Sequence, residues 1–352
     1  MASVTIYDVA RRAGVSIKTV SRVMNSEPNV RPATREQVSA AAAALGYSPS
    51  LSARSLAGSK SYVITILLDA SLTLDHWRSE RGADYLTRIQ LGATQSCRAS
   101  GYHLLLELID HDVPHIRQEV NDLLAALRPD GVILTPPSSD NEIVLDLLRK
   151  SRTPFVRLGP ERALPGGLRM RLDDRGAAFQ MTKALIDLGH RRIGFVMGDH
   201  RYGSSLARRD GYLAAMADQG LPVDPTWIQP GAYTFLSGFD AARGLLALRD
   251  RPTAIFASSD DMALGCLAAA AEAGLAIPGD LSVAGFDDST ASRFSRPSLT
   301  TVRQPLVELA EMAAKALVSG EVPPDCDHDA DLDQISNFKL IFRQSTAPPG
   351  HR

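Results

Sequence analysis

The chain has 352 residues, too many for one ordinary hydrophobic core and enough for a small module beside one large or two medium domains. With 44% hydrophobic and 22% charged residues it has the composition of a soluble globular protein, and no apolar stretch reaches the ~18 residues that a membrane-spanning helix needs. The net charge of −2 hides an asymmetry, because the first sixty residues carry eight basic and three acidic side chains. That basic start would favour attraction to phosphate, although ordinary surface scatter explains it equally well.

The sequence also lacks the usual marks of export and of enzyme chemistry. The N-terminal run MASVTIYDVARRAG has no apolar signal-peptide core, so we expect a cytoplasmic protein. Cys97, Cys266 and Cys326 are widely spaced and form no CxxC pair, which predicts reduced thiols and no zinc site. The histidines show no metal-ligand spacing, and no GxGxxG, GxxxxGK[ST] or GxSxG motif occurs. We therefore expect no catalytic residues, no metal and no cofactor.

A capping box opens the first predicted helix. Thr5 is followed three residues later by Asp8, which predicts a helix from about Ile6 to Ala13. Gly14 then stands where a tight turn needs a positive φ, which glycine adopts without steric cost. The pattern predicts a second helix crossing the first one immediately afterwards.

Two further short helices complete this N-terminal unit. Ser16 is a good N-cap for a helix running to about Asn25, and Pro32 is acceptable at the first position of a third helix. Small and apolar residues would face inward from all three helices: Val9, Ala10, Ala13, Val15, Val20, Val23, Val38, Ala42 and Leu45. This order of elements is typical of a helix-turn-helix, whose second helix enters the major groove of DNA.

The leading end of the second helix holds the candidates for reading bases. Lys18 and Arg22 can pair with guanine O6 and N7, whereas Ile17 can only touch a thymine methyl group. Four other residues are the candidates for phosphate contacts, which fix register without carrying sequence information: Thr5, Tyr7, Ser21 and Asn25. The alternative is that these polar side chains only solvate a small three-helix bundle.

At this point a family resemblance is clear. The runs TIYDVARRAGVSIKTVSRVMN, VRPATREQV, ALGYSP and SARSLAGSK resemble the head and hinge of the LacI/GalR repressor family over residues 4–60. The resemblance implies a DNA-binding domain over residues 1–48 and a hinge over 49–60 that forms a short helix on DNA. Leu56 matches the family's minor-groove wedge, and Ala53 lies one turn before it, close to the groove floor. A passive flexible linker is the alternative.

The rest of the chain alternates predicted strands and helices. A first series of apolar runs consists of YVITILL, YHLLLELI, GVILT and PFVRLG, and a second series of RIGFVMG, AIFASSD and SVAGFDD. Two such series predict two doubly wound lobes with parallel sheets. The fold class is therefore an all-α helix-turn-helix head plus an α/β body.

The body resembles the same family over residues 61–345, on LGHRRIGFVMG, ARRDGY, AIFASSDDMALG, PGDLSVAGFDD, PSLTTVRQP and FKLIFRQSTAPP. The resemblance implies the periplasmic-binding-protein type I fold, in which the chain crosses between the lobes three times and the ligand lies in the cleft. We expect lobe one over about 61–170 and 303–330, lobe two over about 171–302 and 331–345, and a tail over 346–352. The tail has no leucine heptad, so we expect it to lack the tetramer-forming extension that some members of the family carry.

Residue by residue, the resemblance implies where the effector binds. Arg208 matches the effector-binding arginine and Asp287 the hydroxyl-binding carboxylate, a combination that suits a polyhydroxylated ligand. Four further positions match with less precision: Tyr233, Ser259, Gln304 and, in the first lobe, Tyr85 within the long, charged run SLTLDHWRSERGADY. An Arg208–Asp287 structural ion pair, core packing of Tyr233 and a strand cap at Gln304 remain as alternatives.

Together these observations predict a dimeric, ligand-responsive transcription repressor that binds palindromic operator DNA. A mono- or oligosaccharide is the expected effector, and a purine or other nucleobase is the alternative. A small-molecule binding protein without DNA function would share the body, but residues 1–60 argue against it.

Overall fold

A computed structural model describes residues 4–24, 29–47, 60–79, 84–111, 114–323 and 333–350. Its residues divide into two compact units, one within 1–62 together with 127–130 and the other within 63–126 and 131–352. The first unit contains the helical head and the second contains the α/β body.

Three helices form the head, as the sequence predicts: α1 (Ile6–Ala13), α2 (Ile17–Met24) and α3 (Pro32–Leu45). The backbone N–H of Thr5 donates to the Asp8 carboxylate over 3.0 Å, which anchors the start of α1. The chain leaves α1 through Gly14, whose φ of 61° is the left-handed conformation that the turn requires. The predicted capping box and the predicted glycine turn are therefore confirmed.

The core of the head is built from short side chains. Val9, Val20 and Val38, one from each helix, are fully buried and pack with the small Ala10. Because these core side chains are short, the helices can approach closely and close a core from very few residues. Gln37 adds a polar contact, since its amide donates to the carbonyl of Ala13 at the end of α1 over 2.9 Å.

The first lobe of the body contains a six-stranded parallel sheet in the order β11-β5-β4-β3-β1-β2. Its strands are β1 (Val63–Asp69), β2 (His103–Ile109), β3 (Gly131–Leu134), β4 (Phe155–Leu158), β5 (Leu168–Leu172) and β11 (Asp333–Ser336). Its helices are α4 (Ala70–Ser79), α5 (Asp84–Ala99), α6 (Ile116–Leu127), α7 (Glu142–Lys150) and α13 (Leu306–Ser319). The central strands are apolar along nearly their whole length. Strands of this kind are typical of a parallel sheet that is covered on both faces by helices.

The second lobe contains a four-stranded parallel sheet in the order β7-β6-β8-β9. Its strands are β6 (Ile193–Val196), β7 (Ile228–Gln229), β8 (Ala254–Ala257) and β9 (Ser282–Ala284). Its helices are α8 (Asp174–Asp187), α9 (Gly203–Asp218), α10 (Phe235–Leu246), α11 (Asp260–Glu272) and α12 (Thr290–Phe294). An antiparallel pair, β10 (Thr301–Arg303) with β12 (Lys339–Ile341), lies beside it.

Near the C-terminus, the structure assigns residues to the two lobes differently from the sequence prediction. The sequence places residues 331–345 in lobe two, but β11 pairs in parallel with β5 and so extends the sheet of lobe one. The chain returns to lobe two only between Ser336 and Lys339, where β12 pairs with β10. The predicted first boundary near residue 170 likewise lies inside β5. The three passages between lobes then follow β5, β10 and β11, which places the carboxyl ends of both sheets at one cleft.

The predicted tail over 346–352 begins as part of the second lobe. The Ala347 backbone N–H donates to the Ser282 hydroxyl over 3.1 Å, and its carbonyl lies 3.0 Å from Nε2 of His190. Since a carbonyl only accepts, Nε2 carries the proton and Nδ1 accepts from the hydroxyl of Thr253, 2.9 Å away. A neutral, buried His190 thus joins the end of α8 to the C-terminal segment.

This arrangement predicts that His190 stabilises the fold less in mild acid. Burial lowers the pKa of His190 in the folded protein, so below about pH 6.5 the unfolded chain binds a proton that the folded chain resists. The contribution of His190 to the free energy of unfolding, measured by urea titration as the difference between wild type and His190→Gln, should therefore fall between pH 7 and pH 5. The same change at the exposed His103 is the matched control, and its difference from wild type should not follow this pH dependence. Equal slopes in wild type and His190→Gln would contradict this account.

Candidate functional site

The base-reading candidates occupy one exposed side of the head. Ile17, with 40% of its surface exposed, begins α2, and Lys18 and Arg22 follow one turn apart on the same side of the helix. The opposite side of α2 is held in the core by Val20 and Val23. The helix is thus fixed by its apolar side while its cationic side faces solvent, as insertion into a major groove requires.

The phosphate candidates differ in how accessible their donors are. Tyr7 is 63% exposed, and Ser21 is half-buried on α2. Thr5 directs its hydroxyl to the Asp8 carboxylate over 2.7 Å, so a phosphate contact from that hydroxyl would require this bond to break. Asn25, Ala53 and Leu56 lie outside the described residues, and their roles stay predictions.

All six predicted effector residues line one cavity of about 130 Å³ between the two lobes of the body. Five of them belong to the second lobe or to the crossing segments, and one reaches in from the first lobe. The six are Tyr85, Arg208, Tyr233, Ser259, Asp287 and Gln304. Residues that are neighbours only through the fold therefore converge on a single concave site.

Arg208 is the fixed centre of the second-lobe wall. It projects from α9 with only 5% of its surface exposed, and its Nε lies 2.6 Å from the carboxylate of Asp174. Its Nη1 donates over 2.6 Å to the Ser258 carbonyl beyond the end of β8, and its guanidinium lies 3.6 Å from the ring centroid of Phe286. The ion-pair partner of Arg208 is thus Asp174, not the Asp287 of the structural alternative.

Asp287 follows β9 in a strained backbone conformation. Its φ is 131° and that of Asp288 is 55°, values that non-glycine residues rarely adopt and that cluster at functional sites. The Gln304 amide donates to one carboxylate oxygen over 2.5 Å, and the Asp260 N–H donates to the other over 3.3 Å. Burial raises the pKa of Asp287 well above its usual value, and the neighbouring Asp260 raises it further.

Tyr233 lines the cleft and also packs against the hydrophobic core of the second lobe. Its φ is 60°, and its ring packs edge to face on Tyr202 with centroids 5.4 Å apart. A Cβ at Gly198 would lie 2.1 Å from the Tyr233 ring, so the ring can occupy this position only because residue 198 is glycine. The hydroxyl of Ser204 lies 3.4 Å from that of Tyr233, which adds a polar rim beside the ring.

Ser259 and Tyr85 contribute in different ways. Ser259 is the N-cap of α11, since its hydroxyl accepts from the Met262 N–H over 3.3 Å and retains its own proton for a ligand. Burial raises the pKa of the Tyr85 phenol. The nearby Arg208 lowers that pKa, and the carboxylates of Asp174 and Asp287 raise it. Tyr85 lines the cavity from the first lobe, so the cleft has side chains on both walls.

The sequence missed much of the cavity lining. Asp174 and Tyr202 line it, as do Asp69 and His76 at the end of β1 and in α4. A signal was present for Asp69 and Asp174, since each ends a strand or opens the next helix, where open α/β sheets place binding residues. The apolar wall of the first lobe had no such signal: Leu72, Leu86, Ile89, Leu158, Leu306 and Leu309.

A polar clasp, formed by Asp84 and Arg88, joins the lobes beside the cavity. Nη1 of Arg88 on α5 donates to the carbonyl of Asp287 over 3.1 Å, and Nη2 donates to that of Asp288. Asp84, which pairs with Arg88 over 2.6 Å, also accepts from the N–H and hydroxyl of Thr290. The first lobe thus holds the loop that presents the candidate ligand carboxylate.

Comparisons with known proteins agree with this arrangement. A family described as "Bacterial regulatory proteins, lacI family" matches residues 5–50, and a "Periplasmic binding protein-like domain" matches residues 182–346. Catabolite control protein A of Priestia megaterium is 34% identical over 98% of this chain and 99% of its own length. The repressor PurR of Photobacterium profundum is 33% identical over 97% of this chain and 98% of its own length.

Solved structures match over nearly the whole chain. The Lac repressor dimer bound to operator and the anti-inducer ONPF has a TM-score of 0.80 and 27% identity, covering 98% of this chain and 100% of that one. The CelR–cellobiose complex has a TM-score of 0.70 and 28% identity, covering 97% of this chain and 100% of that one. A helix-turn-helix head on a two-lobed binding body defines a ligand-controlled, DNA-binding transcription regulator. The chain belongs to the lacI family of bacterial regulatory proteins.

Metal-binding clusters and membrane-spanning helices are both absent from the part of the chain that the structure describes. Within those ranges, no group of three or more His, Cys, Asp or Glu side chains is arranged to hold a metal ion. Among the same residues, no helix combines the length and apolar character needed to cross a membrane.

The exposed side of α2 generates a first prediction for this site. Arg22→Ala should relax base choice at one operator position and cost ~1–3 kcal/mol of binding free energy on the preferred sequence. Operators selected from a random duplex pool, followed by fluorescence anisotropy on single-base variants, would measure both effects. Arg12→Ala on α1 removes the same charge and should weaken all sequences alike. Unchanged base preference in Arg22→Ala would refute the assignment.

The clasp generates a second prediction. Arg88→Ala removes the donors that hold the 287–288 carbonyls, so the loop should open more often and its backbone N–H groups should exchange faster, by about tenfold. Hydrogen–deuterium exchange on a peptide covering 284–292 would measure this. Arg98→Ala, an exposed position on the same helix, is the matched control and should leave the loop unchanged. Identical exchange in wild type and Arg88→Ala would show that the clasp does not hold the loop.

Proposed function

We propose that this regulator represses transcription as a homodimer on a palindromic operator, and that a small sugar in the cleft controls its affinity for DNA. The observation that carries the sugar assignment is the convergence of a guanidinium, a carboxylate and an amide on one cavity. Such groups match the hydroxyls of a sugar, which both donate and accept hydrogen bonds. Tyr85 and Tyr233 on opposite walls offer faces on which a sugar ring would pack.

Two of the similar proteins of known structure support the ligand class. CelR was solved with cellobiose, and the Lac repressor with ONPF and with ONPG, in each case at 27–28% identity to this chain. Relatives named as transcriptional repressors support the proposal that this protein represses transcription and does not activate it. The two-fold operator and the dimer rest on the half-site logic of helix-turn-helix proteins.

The switch would act through the position of the lobes. A ligand held by Asp287 and Tyr85 at once binds the closed cleft more tightly than the open one, and only such a difference in affinity can shift the lobe equilibrium. The coupling would reach DNA through the hinge predicted over residues 49–60, with Leu56 as its minor-groove wedge. With a DNA-reading head and this cleft, we propose a regulator of genes inside the cell and no enzyme activity.

Thermal unfolding against mono- and disaccharides, sugar phosphates and nucleobases tests this proposal. A sugar at ~100 times its dissociation constant should stabilise the wild-type protein by ~2.7 kcal/mol. The shift should disappear in Asp287→Ala and shrink in the isosteric Asp287→Asn, while Asp218→Ala, on the exposed part of α9, should retain it. The same sugar should change anisotropy-measured affinity for the selected operator.

Two results would contradict the proposal. A nucleobase that stabilises the protein, with no sugar doing so, would replace the sugar effector with a purine-type one. Sugar binding without any effect on operator affinity would leave a sugar-binding body that does not control DNA binding.

A further inference from the structure

We propose that the cleft rejects anionic ligands, so that the effector is an uncharged sugar bearing neither a phosphate nor a carboxylate group. This inference rests on the proposed sugar effector and narrows its chemical class. It follows from the charges around the cavity, from the helix ends that open on it, and from one buried hydroxyl that lacks a partner.

Carboxylates greatly outnumber cations in the cavity wall. Five aspartates line it: Asp69, Asp84, Asp174, Asp261 and Asp287. Among the described lining residues Arg208 is the only lysine or arginine, and Asp174 already neutralises it at 2.6 Å. Asp84 is likewise paired with Arg88, so a phosphate placed here would meet the carboxyl groups of Asp69 and Asp261 and, among these lining residues, no cation free of a counter-ion.

The buried imidazole in the wall adds no second positive charge. His76, on α4, has 7% of its surface exposed. Burial lowers the pKa of His76 below its usual value, so the ring is neutral near pH 7. An anion therefore finds no protonated histidine to pair with at this point of the wall.

Helix N-termini are the other common anion sites in α/β proteins, and three of them open near this cleft. The first turn of α8 contains Asp174, and that of α11 contains Asp260 and Asp261. At the start of α9, a Cβ on Gly203 would lie 2.5 Å from the Cβ of Glu161 and 3.5 Å from a carboxylate oxygen of Asp140. Each positive helix end is therefore already next to a carboxylate of the protein.

Burial and neighbouring carboxylates both disfavour a negative charge in this region. Burial and then Asp84 raise the pKa of Asp261 to about 6, and burial and then Asp174 raise the pKa of Glu161 to about 7. A raised carboxyl pKa means that the surroundings disfavour a negative charge on that group. The same surroundings disfavour the negative charge of a bound ligand. An added phosphate or carboxylate would have to overcome that same potential.

A neutral sugar, by contrast, would satisfy a group that the fold leaves unpaired. Tyr202 lines the cavity with 6% of its surface exposed, and its hydroxyl has no hydrogen-bond partner among the described residues. A buried, unpaired hydroxyl is costly, and a sugar hydroxyl can accept from it and donate in return. The cleft thus offers uncharged hydrogen-bonding groups and repels negative charge.

Matched sets of ligands test the charge rule directly. The full-length protein would be titrated, by thermal unfolding, with glucose, glucose 6-phosphate, glucuronate and glucosamine, with the corresponding galactose and mannose series, and with inorganic phosphate. Sodium chloride at equal ionic strength controls for salt. In any series that binds, the phosphate and the uronate should bind at least about tenfold more weakly than the parent sugar, and the amino sugar at least as tightly as the parent.

Charge-neutralising variants provide a readout that needs no sugar. Inorganic phosphate should not stabilise the wild-type protein, whereas the double variant Glu161→Gln/Asp261→Asn should gain phosphate stabilisation. Asp218→Asn, a solvent-exposed position, is the control and should gain none. Phosphate stabilisation of the wild type, or no gain in the double variant, would overturn the inference.

The outcomes separate this inference from the proposed function. An anionic sugar that binds as tightly as its neutral parent would overturn the charge rule and leave a sugar-responsive regulator. If no sugar of any charge binds, the sugar effector fails, and the phosphate titration of the double variant still decides whether the cleft excludes anions.

Discussion

Arg208 brings a permanent positive charge into the interior of the second lobe, and the surrounding groups are placed by the need to neutralise it. Asp174 supplies the counter-charge from the first turn of α8, and the Ser258 carbonyl supplies a second acceptor. Removing one member of such a buried pair leaves an unpaired charge, which typically costs several kcal/mol. The pair therefore fixes α8 and α9 against β8, and this fixed wall is what a ligand meets.

The opposite wall is tied to the first through the backbone of the ligand-facing loop. Arg88 on α5 holds the carbonyl of Asp287, while Gln304, on a segment that crosses between lobes, holds its side chain. A ligand that contacts Asp287 thus contacts a residue already shared by both lobes. Such a shared residue is a direct physical route from occupancy of the cleft to lobe position.

The helices of the head and the effector residues of the body were predicted from different kinds of sequence information. In the head, each signal is local. Thr5 and Asp8 form the capping box of α1, Gly14 allows the tight turn after α1, and apolar residues share one side of each helix at helical spacing. Such signals are complete within a few residues, so the sequence alone predicted α1 to α3. In the body, the residues Arg208 and Asp287 were placed by family resemblance, and their mutual geometry was not predictable from local pattern.

The sequence by itself determined the basic three-helix head, the alternating strands and helices of the body, and, through the family resemblance, six side chains that line the cleft. Only the tertiary structure decided that Arg208 pairs with Asp174, that β11 completes the first sheet, and that Arg88 clasps the loop at Asp287. The physical reason is the separation along the chain of the residues that interact. Capping, turn geometry and periodicity act between neighbours, whereas these contacts join residues 34 to almost 200 positions apart, which only folding brings together.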